Sequence, residues 1–149
     1  MITIESPPGT VPFVQVSLNT VRSMTVESRA EVADLCRDLG LNTLAQEEVW
    51  VVSLDGARNI RAVVPVAKGG YHEVFVSTPA ILSAVLLTAS DRFVLVHNHP
   101  SGDLSPTTVD KNLTRDLTAA CKQVDMMFDD HIIVGPPNGW RSLRNDGLM

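Results

Sequence analysis

His97-Asn98-His99 is followed, after seven intervening residues, by Thr107 and then, three positions on, by Asp110. Two imidazoles and a carboxylate are ligand types that divalent metals share. The apolar run Phe93-Val94-Leu95-Val96 before them reads as a buried strand. Alternation along a strand puts residues two apart on the same face, so both imidazoles project to one side with backbones roughly 6–7 Å apart. Pro100, Gly102 and Pro106 shape the turn that follows. Ser105-Pro106 supplies an N-cap and proline signal for a helix. In its first turns Thr107 and Asp110 share a face, with Asp110 beside the apolar stripe but off it. Two histidines and one carboxylate leave a coordination position open, which is the ligand count of a catalytic zinc site. Zinc brings a water molecule's pKa to about 7 and so supplies hydroxide near neutral pH. A carboxylate that is not a ligand would complete a hydrolase as general base. Glu47 and Glu48 both offer one, and spacing alone does not choose between them. Taken singly the residues have plainer roles: Asp110 as a solvated acid near a helix N-terminus, Thr107 as a helix-start residue, Glu47 as an exposed strand-end carboxylate.

The rest of the chain supplies elements that can hold such a site. Ser28 with Glu31 makes a capping box before Val32, Leu35, Cys36 and Leu39 at helical spacing, and Gly40 ends that helix. Val49 to Leu54 and Ile60 to Val66 read as a hairpin around Asp55-Gly56, with Glu47 and Glu48 at its start. A strand is expected over Val21 to Val26, and another over Tyr71 to Val76 after the break at Lys68-Gly69-Gly70. Thr78-Pro79 opens a helix to Ala89 that is apolar on nearly every side, and so expected to be buried between layers. Val109, Leu113, Leu117, Ala120, Cys121 and Val124 mark one face of the helix after the central loop. His131 to Val134 and Trp140 to Leu143 are further strands joined by Pro136-Pro137-Asn138-Gly139. β-rich runs with single helices between them indicate an α+β or mixed α/β sandwich. Residues 1–19 are expected to form a flexible arm and residues 20–149 a single domain.

Composition narrows the class. At 149 residues the chain is long enough to bury a core without disulfides. Cys36 and Cys121 fall on apolar helix faces and read as reduced core residues, in keeping with a cytoplasmic protein. Its N-terminus lacks the basic and apolar regions of a secretory signal, and no apolar run is long enough to span a bilayer. A net charge of −5, scattered Lys and Arg, and few aromatics give no electrostatic footprint for nucleic acid. No membrane partner is expected.

The spacing His97-x-His99, seven residues, Thr107, two residues, Asp110 resembles the JAMM motif of the JAB/MPN metallopeptidases, H-x-H-x(7)-S-x-x-D. The wording His97-Asn98-His99-Pro100-Ser101-Gly102-Asp103, with Asp130-His131-Ile132-Ile133-Val134-Gly135, is similar to the bacterial RadC family, and the likeness extends over about residues 20–144. That resemblance implies a cytidine-deaminase-like α/β fold, a mixed sheet flanked by helices. It implies zinc held by His97, His99 and Asp110. The family's glutamate lies eight residues before an aspartate at a strand-end turn. That aspartate is Asp55 here, which makes Glu47 the general base and Glu48 its neighbour. Thr107 occupies the serine position, keeping a hydroxyl for an oxyanion while adding a methyl. His131 matches a family position and reads either as support behind the metal ligands or as a structural strand histidine. Lys68-Gly69-Gly70-Tyr71-His72 departs from the family's Gly-Thr-Leu-like turn. Full-length members carry a helix-hairpin-helix region that has no counterpart in this chain, so no DNA contact is carried over. The expected function is zinc-dependent hydrolysis of peptide or isopeptide bonds in a peptide or protein substrate. The alternative is a non-catalytic, zinc-containing accessory role in DNA repair or recombination.

Overall fold

Across residues 25–69 and 76–149, which the computed structural model describes, runs of β-branched residues form strands and capped amphipathic runs form helices. In chain order these are α1 (Arg29–Asp38), a 3-10 turn (Leu41–Thr43), β1 (Glu48–Leu54), β2 (Ile60–Lys68), α2 (Thr78–Leu87), β3 (Arg92–Asn98), α3 (Thr108–Gln123), β4 (Met127–Gly135) and β5 (Gly139–Ser142). The expected arm, the strand at Tyr71 to Val76 save its last residue, and most of the strand at Val21 to Val26 lie outside the described residues. Thr25 makes a single bridge to Asn59.

One sheet runs in the order β2-β1-β3-β4-β5. Its pairs are antiparallel except β3 with β4. A parallel pair needs a crossover, and α3 is that crossover. Alternation divides the sheet into two cores. On one face Trp50, Val52, Leu54, Val94, Val96, Ile132 and Val134 pack under α1 through Val32, Ala33, Leu35 and Cys36. On the other, Val49, Val51, Phe93 and Leu95 meet Ile81, Ala84 and Val85 of α2 and Leu117 and Cys121 of α3. Each fully buried aliphatic or aromatic side chain contributes about 1.5–3 kcal/mol. The central strand β3 is buried on both faces, and its exit is where the two histidines stand. The mixed sheet flanked by helices is therefore as expected.

Several details differ from the reading of the sequence. α2 is capped by Ser77, whose hydroxyl accepts from the Ala80 amide, so Thr78 lies inside the helix. Only Ile81, Ala84 and Val85 of α2 are buried, while Leu86 and Leu87 are exposed, because among the described residues α2 packs through one side, against β1, β2 and α3, rather than sitting between layers. β2 continues to Lys68, where Lys68 pairs with Glu48. The buried face of α3 is Asp110, Thr114, Leu117 and Cys121, and Val109 and Val124 are exposed. Asp110 thus sits on the buried face and not beside it. The helix is rotated by the demand of the site rather than by its most apolar stripe.

No helix among the described residues is long and apolar enough to cross a membrane. Both cysteines are buried and unpaired with each other. Burial pushes the Cys36 thiol up to about 12 and that of Cys121 to about 11. Since the thiolate is the reactive form, Ellman's reagent at pH 8 should label neither cysteine in the native protein and both after denaturation. Native labelling at the rate of a free thiol would contradict this.

Candidate metal centre

β3 is paired on both sides, so its C-terminal end is held firmly. His97 lies opposite Val49 of β1 and Ile133 of β4. His99 is one residue past the strand, and its amide donates to the Val134 carbonyl at 2.9 Å, extending the pairing. The following loop folds back at once: the Gly102 amide donates to the His99 carbonyl at 3.0 Å, with Gly102 at a left-handed φ of 81°. Leu104 then seats against Gly135 and Gly139, where an added Cβ would lie 2.9 and 2.8 Å from its methyl carbons. This seating aims the Asp103 carbonyl at the His99 ring, which it meets through Nδ1 at 2.6 Å.

The third candidate ligand comes from the start of α3. The helix opens at Thr108 with Thr107 as its N-cap, not at Ser105-Pro106. Thr107 Oγ1 accepts from the Asp110 amide at 3.1 Å, and Asp110 Oδ2 accepts from the Thr107 amide at 2.7 Å. The Thr-x-x-Asp spacing is thus a capping box whose acid also faces the histidines. Capping won over the proline signal because only Thr107 brings an acid to the third helical position. Thr107→Ala should cost about 1 kcal/mol of stability and Thr107→Ser much less, read by denaturant unfolding of the metal-free protein.

His97, His99 and Asp110 each offer a ligand atom, and these lie within 4.8 Å of one another. The two Nε2 atoms are 3.0 Å apart. Asp110 Oδ1 is 3.2 Å from His97 Nε2, and Oδ2 is 3.5 Å from His99 Nε2. A carbonyl only accepts, so His99 carries its proton on Nδ1, toward Asp103, and presents a lone pair at Nε2. His97 does the same, as its own partners dictate. His97 Nδ1 lies 2.8 Å from His131 Nε2, and His131 Nδ1 lies 2.7 Å from Thr114 Oγ1. Thr114 Oγ1 in turn lies 2.7 Å from the Asp110 carbonyl. Thr114 has one proton, and the carbonyl has none to give. Every contact is a hydrogen bond only if Thr114 donates to Asp110, His131 to Thr114, and His97 to His131. Two lone pairs and a carboxylate therefore converge with no donor among them, an arrangement that a cation bound between them satisfies. Nitrogen–zinc bonds of about 2.0–2.1 Å in a tetrahedron put ligand atoms about 3.3 Å apart, which the observed spacings bracket. The residues fit a metal ion.

A proton on an imidazole Nε2 is itself such a cation, and the electrostatics show the same pull for positive charge. Burial opposes ionisation of Asp110, but hydrogen bonds from His97 and His99 when they are protonated, their charge, and the Thr107 amide hold its carboxyl far below the usual range. For His99, burial lowers its pKa, yet bonds to Asp110 and the Asp103 carbonyl and the charges of Asp110 and Glu47 leave it raised. His131 is fully enclosed, and burial keeps it neutral, with any charge on His97 acting in the same direction.

Glu47 and Glu48 separate by face. Carrying the β1–β3 register two residues beyond Val49 opposite His97 sets Glu47 across from His99. Glu47 shares the parity of Val49 and Val51, on the α3 side. Glu48 turns to the α1 side, accepting from Trp50 Nε1 at 2.9 Å, with Lys68 Nζ 3.7 Å away. Asn98, between the two histidines, is fully buried on that opposite side. It accepts from the Glu48 amide at 2.7 Å and donates to the carbonyls of Gln46 at 3.0 Å and Leu44 at 3.4 Å, pinning the segment that carries Glu47. The sequence offered no comparable reason to single out Asn98 or Thr114. The four-residue step from Asp110 to Thr114 was the available signal for the second.

Residues 26–148 match the family model of the RadC-like JAB domain. A UPF0758 protein of Coprothermobacter proteolyticus is 34% identical over 119 residues, covering 80% of this chain and 51% of its own length. A UPF0758 protein of Chloroflexus aurantiacus is 32% identical over 124 residues, covering 83% of this chain and 53% of its own. One from Porphyromonas gingivalis is 29% identical over 109 residues, 73% of this chain and 48% of its own. The chain thus spans about half the length of these curated relatives. With the family's histidine pair, its capped aspartate and its mixed sheet all present, the chain belongs to the RadC-like JAB domain family.

Proposed function

We propose that this chain is a zinc-dependent hydrolase of peptide or isopeptide bonds, with His97, His99 and Asp110 as the metal ligands. The observation that carries the proposal is the convergence of two imidazole lone pairs and a carboxylate, with Glu47 on the same face and, among the described residues, not engaged as Glu48 is. A bound divalent ion supplies Lewis acidity toward a carbonyl and lowers the pKa of water. The chain's own residues do the rest. Glu47, beside His99 but outside the ligand set, takes the proton of the attacking water and passes it to the leaving amine. Thr107 accepts the Asp110 amide on one oxygen lone pair and keeps its hydroxyl proton to donate to a developing oxyanion. Asp103 and the Thr114–His131 pair hold the two imidazoles in the tautomer that ligation needs.

The alternative is an accessory protein of DNA repair whose metal is structural. A net charge of −5 gives such a chain no basic footprint of its own, and a structural site has no need of Glu47. The deciding experiment measures metal content by plasma emission, then assays the purified protein against libraries of peptide and isopeptide bonds. Stoichiometric zinc with zinc-dependent cleavage supports the hydrolase. Stoichiometric zinc with no turnover on any member leaves the accessory reading in possession.

A further inference from the structure

We infer that Thr114 and His131 are positioning residues that set the metal affinity of the site, by forcing His97 into its ligating tautomer and bracing it against Asp110. The inference rests on the metal reading above and goes beyond it to residues that touch no ion.

The relay begins and ends on the ligand set. It starts at the backbone carbonyl of Asp110, passes through the Thr114 hydroxyl at 2.7 Å and the His131 ring at 2.7 Å, and ends on His97 Nδ1 at 2.8 Å. Thr114 and His131 are each 0% exposed and His97 2%, so water cannot substitute for a missing partner or scramble the direction. That direction is unique. The Asp110 carbonyl takes the only proton Thr114 has, so Thr114 can only accept from His131. His131 must then present its unprotonated Nε2 to His97, whose proton is drawn to Nδ1 and whose Nε2 is left bare for a metal. The elements involved make the brace mechanical as well. Asp110 and Thr114 are one turn apart on α3, His131 is on β4 and His97 on β3, so the relay ties the crossover helix to both strands of the parallel pair.

Removing the first link should undo this. In Thr114→Val, which keeps the shape, the proton of His131 loses its acceptor at Nδ1 and is free to sit on Nε2. There it donates to His97 and drives the His97 proton onto Nε2, the atom that would bind the ion. Outer partners of ligating histidines are worth about 10–100-fold in metal affinity, and that is the loss expected here. Thr114→Ser keeps the hydroxyl and should keep wild-type affinity.

The test needs no substrate. Zinc affinity is measured by competition with a chromophoric chelator for the wild type, Thr114→Val and Thr114→Ser, each shown folded by circular dichroism. In parallel, long-range nitrogen–proton NMR of the zinc-loaded wild type assigns the protonated nitrogen of His97 and His131. The inference expects weaker zinc binding in Thr114→Val by about 10–100-fold, rescue in Thr114→Ser, and protons on Nδ1 of both rings. Equal affinities in all three folded proteins would overturn it, and so would a His97 proton on Nε2, which is read on the wild type even if Thr114→Val proves unstable. A wild type that takes up no zinc would overturn the metal reading itself, and the relay with it, which is a different result from zinc bound equally by all three.

Discussion

Glu47→Gln is expected to keep its full complement of zinc and to lose about 10²–10⁴-fold in hydrolysis, the worth of a positioned general base. The substitution is nearly isosteric, and Glu47 is not one of the three residues whose ligand atoms converge. Metal content and chelator competition should therefore be unchanged. Glu48→Gln is the control. Glu48 faces α1 and is occupied by Trp50 and Lys68, so its loss should leave turnover near wild type. The pair of variants reads out the face assignment directly. Comparable losses in both, or full activity in Glu47→Gln, would remove Glu47 from the chemistry.

Asp110→Asn is expected to abolish stoichiometric metal while leaving a folded protein. The asparagine amide keeps an oxygen for the Thr107 amide and adds a donor, which can satisfy a histidine lone pair that otherwise awaits a cation. The helix cap survives and the charge does not. Zinc at 100 times its dissociation constant stabilises a folded protein by about 2.7 kcal/mol. For a chain of this size, at about 2–4 °C per kcal/mol, removing it should lower the wild-type Tm by about 5–10 °C. Chelator should thus shift the melting of the wild type and leave that of Asp110→Asn where it was. A chelator shift of equal size in both proteins would mean that the ion sits elsewhere.

How far the sequence could be read follows from what each residue depends on. His97 and His99 need only strand alternation and Asp110 only helical spacing, so their convergence was legible. Spacing alone did not choose between Glu47 and Glu48, and only the family resemblance pointed to Glu47, because neighbouring strand residues face opposite ways and the register that decides is set by pairing with β3. The start of α3 was misplaced by two residues, since Ser105-Pro106 and Thr107 both resemble helix caps and only the reciprocal bond to Asp110 separates them. Val109 and Val124 drew the apolar stripe away from its true position. The actual buried face carries Asp110 and Thr114, polar residues whose burial makes sense only once His131 and His97 are seen against them. Asn98 looked like a spacer between two ligands. Its three bonds to residues fifty or more positions away could not be read from one strand.

Those bonds have a further consequence. The Glu48 amide donates to the Asn98 side chain rather than to a neighbouring strand's carbonyl. Its exchange with deuterium therefore times the release of one side chain and not the opening of the sheet. Val51 and Val52, paired on both sides between β2 and β3, open only with the sheet itself. A molecule in which Glu48 has exchanged while Val51 and Val52 remain protected is expected to keep His97, His99 and Asp110 assembled with the segment that carries Glu47 released. On the proposed reading, retention of metal and readiness for proton transfer are expected to be separate populations, and a single amide hydrogen would count the difference.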